Sequence, residues 1–178
     1  MKSVTLLRHA KSSWDDPVER DLDRPLNAKG RRAAVTIGQH MREAGLGYDK
    51  VLASPAVRVL ETLDGVEEGY GKALSPALDR RIYMASGEVL FDLVQEAGED
   101  VERLLIVGHN PGLEDLVFLF VPEGESAHRD AIEVKYPTAT LCEIRFDVDD
   151  WDAVRSGIGR IAAFVRPRDL DPKLGPEY

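Results

Sequence analysis

The chain has 178 residues, 43% of them apolar and 31% charged, which fits one globular domain and excludes disordered or collagen-like structure. Its formal net charge of −9 argues against nucleic acid or an anionic membrane as a partner, and the single cysteine, Cys142, excludes an intramolecular disulfide. No apolar run approaches the ~20 residues of a membrane span, and the first one ends at Arg8, too early for a signal peptide, so we expect a cytoplasmic protein.

The first half of the chain predicts two strand–helix pairs. Residues 3–7 are a short β-branched and leucine run, typical of a strand buried on both faces. After a polar stretch, apolar residues recur at helical spacing from Ala34 to Ala44 and stop at the glycines that follow. Residues 50–53 predict a second strand. Ser54-Pro55 then predicts a helix start, with Ser54 as N-cap and Pro55 at the first helical position.

The second half continues the alternation of helices and strands. Ser86 is expected to cap a third helix, and Asn110-Pro111 repeats the cap-then-proline start of a fourth. The remaining expected segments are strands at 104–107, 138–146 and 158–165, a charged loop at 122–135 that could contain a helical turn, and a loosely ordered tail at 167–178. This alternation predicts a single α/β domain over residues 1–166 with a mostly parallel sheet.

Unusual polar residues follow three of the predicted strands, at the sheet edge where ligands bind in such folds. Arg8 and His9 follow the first strand, Arg58 lies in the first turn of the second helix, and His109 follows the strand at 104–107. Two helix N-termini, which favour anions, would point at the same place. Each residue alone has an ordinary structural explanation, such as a histidine bonded to backbone. Their coincidence at three junctions predicts an anion-binding site.

Six segments of the chain also carry a family pattern. They are Leu7-Arg8-His9-Ala10-Lys11-Ser12, Asp23-Arg24-Pro25-Leu26, Ser54-Pro55-Ala56-Val57-Arg58 with Thr62, Val107-Gly108-His109-Asn110-Pro111, Tyr136-Pro137-Thr138 and Val165-Arg166-Pro167. With them the chain resembles the histidine phosphatase superfamily, the phosphoglycerate mutase-like proteins, and within it the short SixA-like phosphohistidine phosphatases. The resemblance runs from residue 3 to about residue 170 and implies a three-layer α/β/α sandwich.

The resemblance implies a role for each residue of the predicted anion site. His9 would attack phosphorus and form a covalent phosphohistidine, while Arg8, Arg58 and His109 surround the phosphoryl oxygens. The attacking nitrogen must be unprotonated, so we expect the other ring nitrogen of His9 to donate to a backbone carbonyl. Arginine suits the task because its planar fork binds phosphate in a bidentate manner.

Arg24 and Ser12 are weaker candidates for substrate binding. Arg24 has two equally good interpretations, a place in the same pocket or a surface ion pair with Asp21 or Asp23. For Ser12, a hydroxyl contact to phosphate competes with a simpler role as a loop cap.

The sequence departs from the family pattern at the general acid that protonates the leaving oxygen. Acid phosphatases of the superfamily place an aspartate directly after the second histidine, where this chain has Asn110. Met84 stands in the middle of the Tyr83-Met84-Ala85 stretch, another place for such an acid. Glu88 is the remaining candidate, although its position at a helix start has an adequate dipole explanation. No cluster has metal-ligand spacing, so we expect neither a metal nor another cofactor.

These observations predict a metal-independent phosphatase that works through a covalent phosphohistidine, with phosphohistidine on a protein as its substrate. One alternative is a phosphatase or mutase that acts on a small phosphorylated metabolite. The other is a phosphate-binding adaptor without catalysis, against which the nucleophile His9 argues. The chain lacks long inserted segments that would cap the site, and this favours a phosphorylated protein as the partner.

Overall fold

The structure, a computed structural model, describes residues 1–175. Within these residues the strands are β1 Lys2–Arg8, β2 Lys50–Ala53, β3 Ala77–Leu78, β4 Arg103–Gly108, β5 Leu141–Phe146 and β6 Arg160–Val165. The α-helices of the same residues are α1 Ala28–Glu43, α2 Val57–Tyr70, α3 Gly87–Gln95, α4 Gly112–Phe120, α5 Ala127–Val134 and α6 Pro167–Leu170.

The strands form one sheet in the order β3-β2-β4-β1-β5-β6. The first four of these are parallel to one another, whereas β5 runs antiparallel to β1 and β6 antiparallel to β5. The prediction of an α/β fold with a mostly parallel sheet is therefore confirmed. In the register of β1 and β4, Arg8 pairs with Gly108, so the two strands end side by side.

Alternating side chains of the central strands fill two separate cores, one on each face of the sheet. Val4 and Leu6 pack on the face covered by α3 and α4, whereas Leu7 and Val107 pack on the face covered by α1 and α2. Burial on both faces explains why these strands are continuous apolar runs. The three-layer α/β/α sandwich that the resemblance implied is confirmed.

Two helix starts differ from the prediction. Helix α2 begins at Val57 rather than at Ser54-Pro55, and α4 begins at Gly112 rather than at Asn110. The Asn110 amide donates to the backbone oxygen of Tyr136 at 3.2 Å and also accepts from a backbone N–H inside α4. The Ser54 hydroxyl contacts a histidine described below. Neither residue is the N-cap of its helix, because the Ser54 hydroxyl binds that histidine and Asn110 contacts α4 from one position before its N-cap, Pro111.

Four other elements differ from the prediction where the sequence pattern for secondary structure is weak. The predicted charged loop at 122–135 contains α5, which Ser126 caps by accepting from the Arg129 N–H. Strand β3 was missed because it has two residues, both exposed. Strands β5 and β6 begin later than predicted, at Leu141 and Arg160.

The segment after β6 is ordered as far as Gly175, so the prediction of a loose tail was wrong for these residues. Pro167 begins α6, and the Asp169 carboxylate accepts from the Arg166 N–H at its start. Leu174 is buried, which fixes the segment to the domain. The last three residues of the predicted tail lie outside the described residues. Between residues 1 and 175, no helix is long and apolar enough to cross a membrane.

Candidate active site

The parallel pairing of β1 and β4 brings His9 and His109 together at the carboxyl edge of the sheet. The backbone N–H of His9 donates to the Gly108 carbonyl at 3.0 Å, which continues the hydrogen-bond ladder between β1 and β4 one residue beyond β1. The two imidazole rings lie 5.3 Å apart between centroids and are tilted by 58°. The structure thus brings together the ends of the first predicted strand and of the strand at 104–107, as expected from the sequence.

The hydrogen bonds of His9 determine which ring nitrogen carries the proton. Nδ1 lies 2.7 Å from the carbonyl oxygen of Ala10, and a carbonyl only accepts, so Nδ1 donates. In the neutral ring, Nε2 then has the free lone pair, as expected for the nucleophile. The pKa of His9 is lowered from 6.5 to about 3, chiefly by burial, with smaller contributions from His109, Arg8 and Arg58 and against the opposing effect of the Ala10 bond. His9 is therefore neutral at neutral pH.

Thr62 holds the loop that carries His9 against α2. Its hydroxyl accepts from the Ala10 N–H at 2.9 Å and donates to the Arg58 carbonyl at 2.6 Å, one helical turn earlier. On the other side of the loop, the Ala139 N–H donates to the His9 carbonyl at 3.0 Å. Thr62, whose role was not predicted from the sequence, thus positions the nucleophile.

His109 is held in the opposite tautomer by Ser54 and Arg58. Its Nδ1 lies 3.3 Å from Nη2 of Arg58, and a guanidinium only donates, so Nδ1 accepts. Nε2 lies 2.7 Å from the Ser54 hydroxyl and carries the proton. Burial, followed by the charge of Arg58, lowers the pKa of His109 to about 4. His109 is also neutral at neutral pH.

Asp21 joins Arg24 and Arg58, of which only the pairing with Arg24 was predicted from the sequence. Arg58, only 2% exposed, donates from Nη1 to the Asp21 backbone oxygen and from Nη2 to its carboxylate, both at 2.9 Å. The same carboxylate accepts from Arg24 at 2.8 Å and from the Tyr83 hydroxyl at 2.7 Å. Partial burial raises the pKa of Asp21, but these bonds outweigh it and hold the pKa well below its usual range. Asp21 is ionised, because its carboxylate accepts from two guanidinium groups and a hydroxyl.

Arg24 has the pocket position of one interpretation and the ion pair, but not the surface location, of the other. Arg24 pairs with Asp21, yet its side chain is buried rather than on the surface. Its guanidinium contacts the Ser12 hydroxyl and lies 3.8 Å over the ring of Trp14. The exposed Trp14 therefore covers the arginine on the solvent side, and Ser12 contacts a cation of the pocket.

A cleft of about 300 Å³ opens above His9. The residues that line it are Arg8, His9, Lys11, Ser12, Trp14, Arg24, Asn110 and Thr138. Arg8 is oriented by a hydrogen bond from Nη1 to the Tyr136 carbonyl at 2.8 Å. The walls are thus basic and polar, which suits a phosphoryl group.

Glu88 lies apart from this lining. It is exposed in the first turn of α3, where Ser86 caps the helix as predicted. Met84 is also exposed, and its sulfur lies 3.8 Å from Nη2 of Arg58. No structural observation assigns Glu88 the role of general acid, which stays a prediction. Within the described part of the chain, no three His, Cys, Asp or Glu side chains are grouped so that they could hold a metal ion.

Comparisons with known proteins agree with this site. Residues 4–83 match the family model of the histidine phosphatase superfamily, branch 1. An uncharacterized protein of Mycobacterium tuberculosis strain H37Rv is 30% identical over 167 residues, which are 91% of this chain and 100% of that protein. A probable phosphoglycerate mutase, GpmB, of Salmonella arizonae is 25% identical over 150 residues, 81% of this chain and 65% of that protein.

Solved structures give the same result for the fold. A structure from Agrobacterium tumefaciens that carries the name of the phosphohistidine phosphatase SixA is 28% identical with a TM-score of 0.76, and covers 93% of this chain and 98% of its own. A structure of the same name from Nakamurella multipartitia has a TM-score of 0.75 at 23% identity, with 93% and 96% covered. The chain therefore belongs to the histidine phosphatase superfamily and has the fold of its SixA-like members.

Proposed function

We propose that the chain is a phosphatase that transfers a phosphoryl group to His9 and then to water, and that its substrate is phosphohistidine on a protein. One observation carries the catalytic part. The bond from Nδ1 of His9 to the Ala10 carbonyl leaves Nε2 unprotonated, near the buried Arg58 and His109 and the partly buried Arg8. A binding module needs the arginines but not a histidine prepared for attack.

The reaction proceeds in two displacements. In the first, the lone pair of His9 Nε2 forms a bond to phosphorus, the bond from phosphorus to the substrate nitrogen breaks, and the released imidazole takes a proton from solvent water. In the second, water attacks phosphorus, the bond to Nε2 breaks, and inorganic phosphate leaves with neutral His9 restored. Arg8 and Arg58 donate to the equatorial oxygens, where negative charge is spread in the transition state.

The leaving group distinguishes the substrate classes. An alkyl phosphate leaves as a strongly basic alkoxide, for which general-acid help is worth about 10²–10⁴-fold. An imidazole is protonated readily and leaves as a neutral ring. Within the described residues, no carboxylate lines the cleft above His9. This lining favours phosphohistidine over sugar or glycerol phosphates.

The openness of the site supports a protein substrate. Trp14 is 80% exposed at the rim, and an exposed tryptophan beside a reactive cleft is the kind of residue that anchors a protein partner. The name of the Agrobacterium tumefaciens structure supports the same substrate class. A small phosphorylated metabolite is the second candidate, favoured by the match to a probable phosphoglycerate mutase.

The first test is a leaving-group series at constant pH. We expect rapid turnover of a phosphohistidine peptide and of an aryl phosphate, slow turnover of glycerol phosphate, and unchanged rates in Glu88→Gln. Equal rates for glycerol phosphate would show that an efficient acid exists. If Glu88→Gln then abolishes that activity, Glu88 is the acid and the small-metabolite function is the better one.

The second test is to trap the covalent intermediate. Rapid denaturation during turnover of a labelled aryl phosphate should leave acid-labile label on His9. His9→Ala should lose both label and turnover, while His128→Ala, which changes an exposed histidine far from β1 in sequence, should keep both. Binding of phosphate without any labelled protein would support the adaptor instead.

A further inference from the structure

A second, basic cleft lies beside the catalytic one. It is formed by the first turn of α1, residues 135–138 and the segment from Arg166 to Gly175. Four basic side chains line it: Lys29, Lys135, Arg166 and Arg168. Its volume is about 40 Å³, room for a single small polar group rather than for a whole ligand. The catalytic mechanism uses none of these four residues.

The cations of this basic cleft are only partly neutralised. Arg166 pairs with Asp169 at 2.8 Å. Lys29 and Arg168, in contrast, form no ion pair within 4 Å with any residue from 1 to 175. Lys29 also lies in the first turn of α1, which has no acidic residue and where the helix dipole disfavours a cation. In a chain of net charge −9, such a concentration of positive charge fits an anionic group.

The two clefts share a wall. Thr138 lines both of them. The same segment contacts the catalytic residues, because the Tyr136 carbonyl accepts from Arg8 and the Ala139 N–H donates to the His9 carbonyl. From Lys135 to Thr138 the chain spans at most roughly 11 Å. An extended peptide covers that distance in about three or four residues.

We propose that the basic cleft binds a carboxylate side chain of the phosphoprotein substrate, within about four residues of the phosphohistidine. The substrate class rests on the proposed function, whereas the carboxylate site rests on the cluster of cations. Because the chain as a whole repels acidic partners, this attraction acts at short range and selects the orientation of the substrate rather than increasing the rate of encounter.

The test measures binding separately from turnover. A labelled peptide with a central unphosphorylated histidine is made in two forms, with three glutamates or three glutamines on one side of it. At low ionic strength the native protein should bind the glutamate form about fivefold more tightly, as expected for one well-placed ion pair. Lys29→Glu and Arg168→Glu should each abolish this preference. Lys72→Glu makes the same change of charge beyond the end of α2, at the opposite edge of the sheet, and should preserve it.

Equal binding of the two peptides, or a preference that survives in Lys29→Glu and Arg168→Glu, overturns the carboxylate site. Turnover then separates this proposal from the proposed function. If the native protein shows no peptide preference but hydrolyses an aryl phosphate normally, the carboxylate site is refuted and the proposed function is not. Conversely, a peptide that binds with the expected preference but is not hydrolysed in its phosphohistidine form would refute the substrate and keep the site.

Discussion

The depressed pKa of His9 predicts how folding stability depends on pH. In the folded protein the pKa is about 3, whereas an exposed histidine in the unfolded chain has its ordinary value of 6.5. Between these two values the unfolded state binds a proton that the folded state does not, so stability falls as pH falls. At pH 4.5, two units below the unfolded value, this linkage amounts to about 3 kcal/mol relative to pH 8.

The assay is urea unfolding at pH 8 and at pH 4.5, on the native protein and on His9→Gln. Glutamine does not titrate, so the free energy of unfolding of the variant should decrease by about 3 kcal/mol less than that of the native protein. Contributions from His109 and from the carboxylates are present in both proteins and cancel in this difference. The same pH dependence in both would refute the reasoning, because His9 would then bind its proton equally in the folded and unfolded states.

Two further predictions concern positioning and packing. Asp21→Ala should lower kcat/KM for an aryl phosphate roughly ten- to a hundredfold, because Arg58 loses the carboxylate that orients it. The control, Asp23→Ala, removes the partner of the exposed Arg20 and should have little effect on kcat/KM. Gly30→Ala should lower the free energy of unfolding by about 1–2 kcal/mol, because the new Cβ would lie 2.2 Å from the Lys11 carbonyl oxygen and this clash exceeds alanine's gain in helix propensity. Gly47→Ala is the control, since its nearest neighbour is the flexible Arg103 side chain at 3.5 Å. Steady-state kinetics test the Asp21 prediction, and denaturant unfolding tests the Gly30 prediction.

The central part of the site was predictable because it depends on short-range information. His9 and His109 each come directly after a buried apolar run, and parallel strands of one sheet end at the same edge. The tautomer of His9 was also predictable from the chemistry that a nucleophile requires, and the Ala10 carbonyl provides it from the next residue.

The parts that were not predicted depend on contacts between distant segments. Asp21 reaches Arg58 across 37 positions, and Ser54 reaches His109 across 55. A local pattern describes each of these side chains by its neighbours in sequence, so Asp21 was seen only as a surface partner for Arg24 and Ser54 only as a helix cap. Strand β3 was not predicted for another reason, because its two exposed residues are too few to show a hydrophobic periodicity.

The two hydrogen bonds of Thr62 determine where the chain can tolerate insertions and where it cannot. Arg58 and Thr62 lie one turn apart at the start of α2, and Thr62 fixes the backbone after β1 to that turn. An insertion near the start of α2 would therefore shift the arginine and the nucleophile relative to each other. Both α1 and α2 run away from the site and end in left-handed glycines, Gly45 and Gly71, at the far edge of the sheet. We expect a fluorescent tag or a fused domain inserted at either turn to leave turnover of an aryl phosphate unchanged, because both turns lie away from the site.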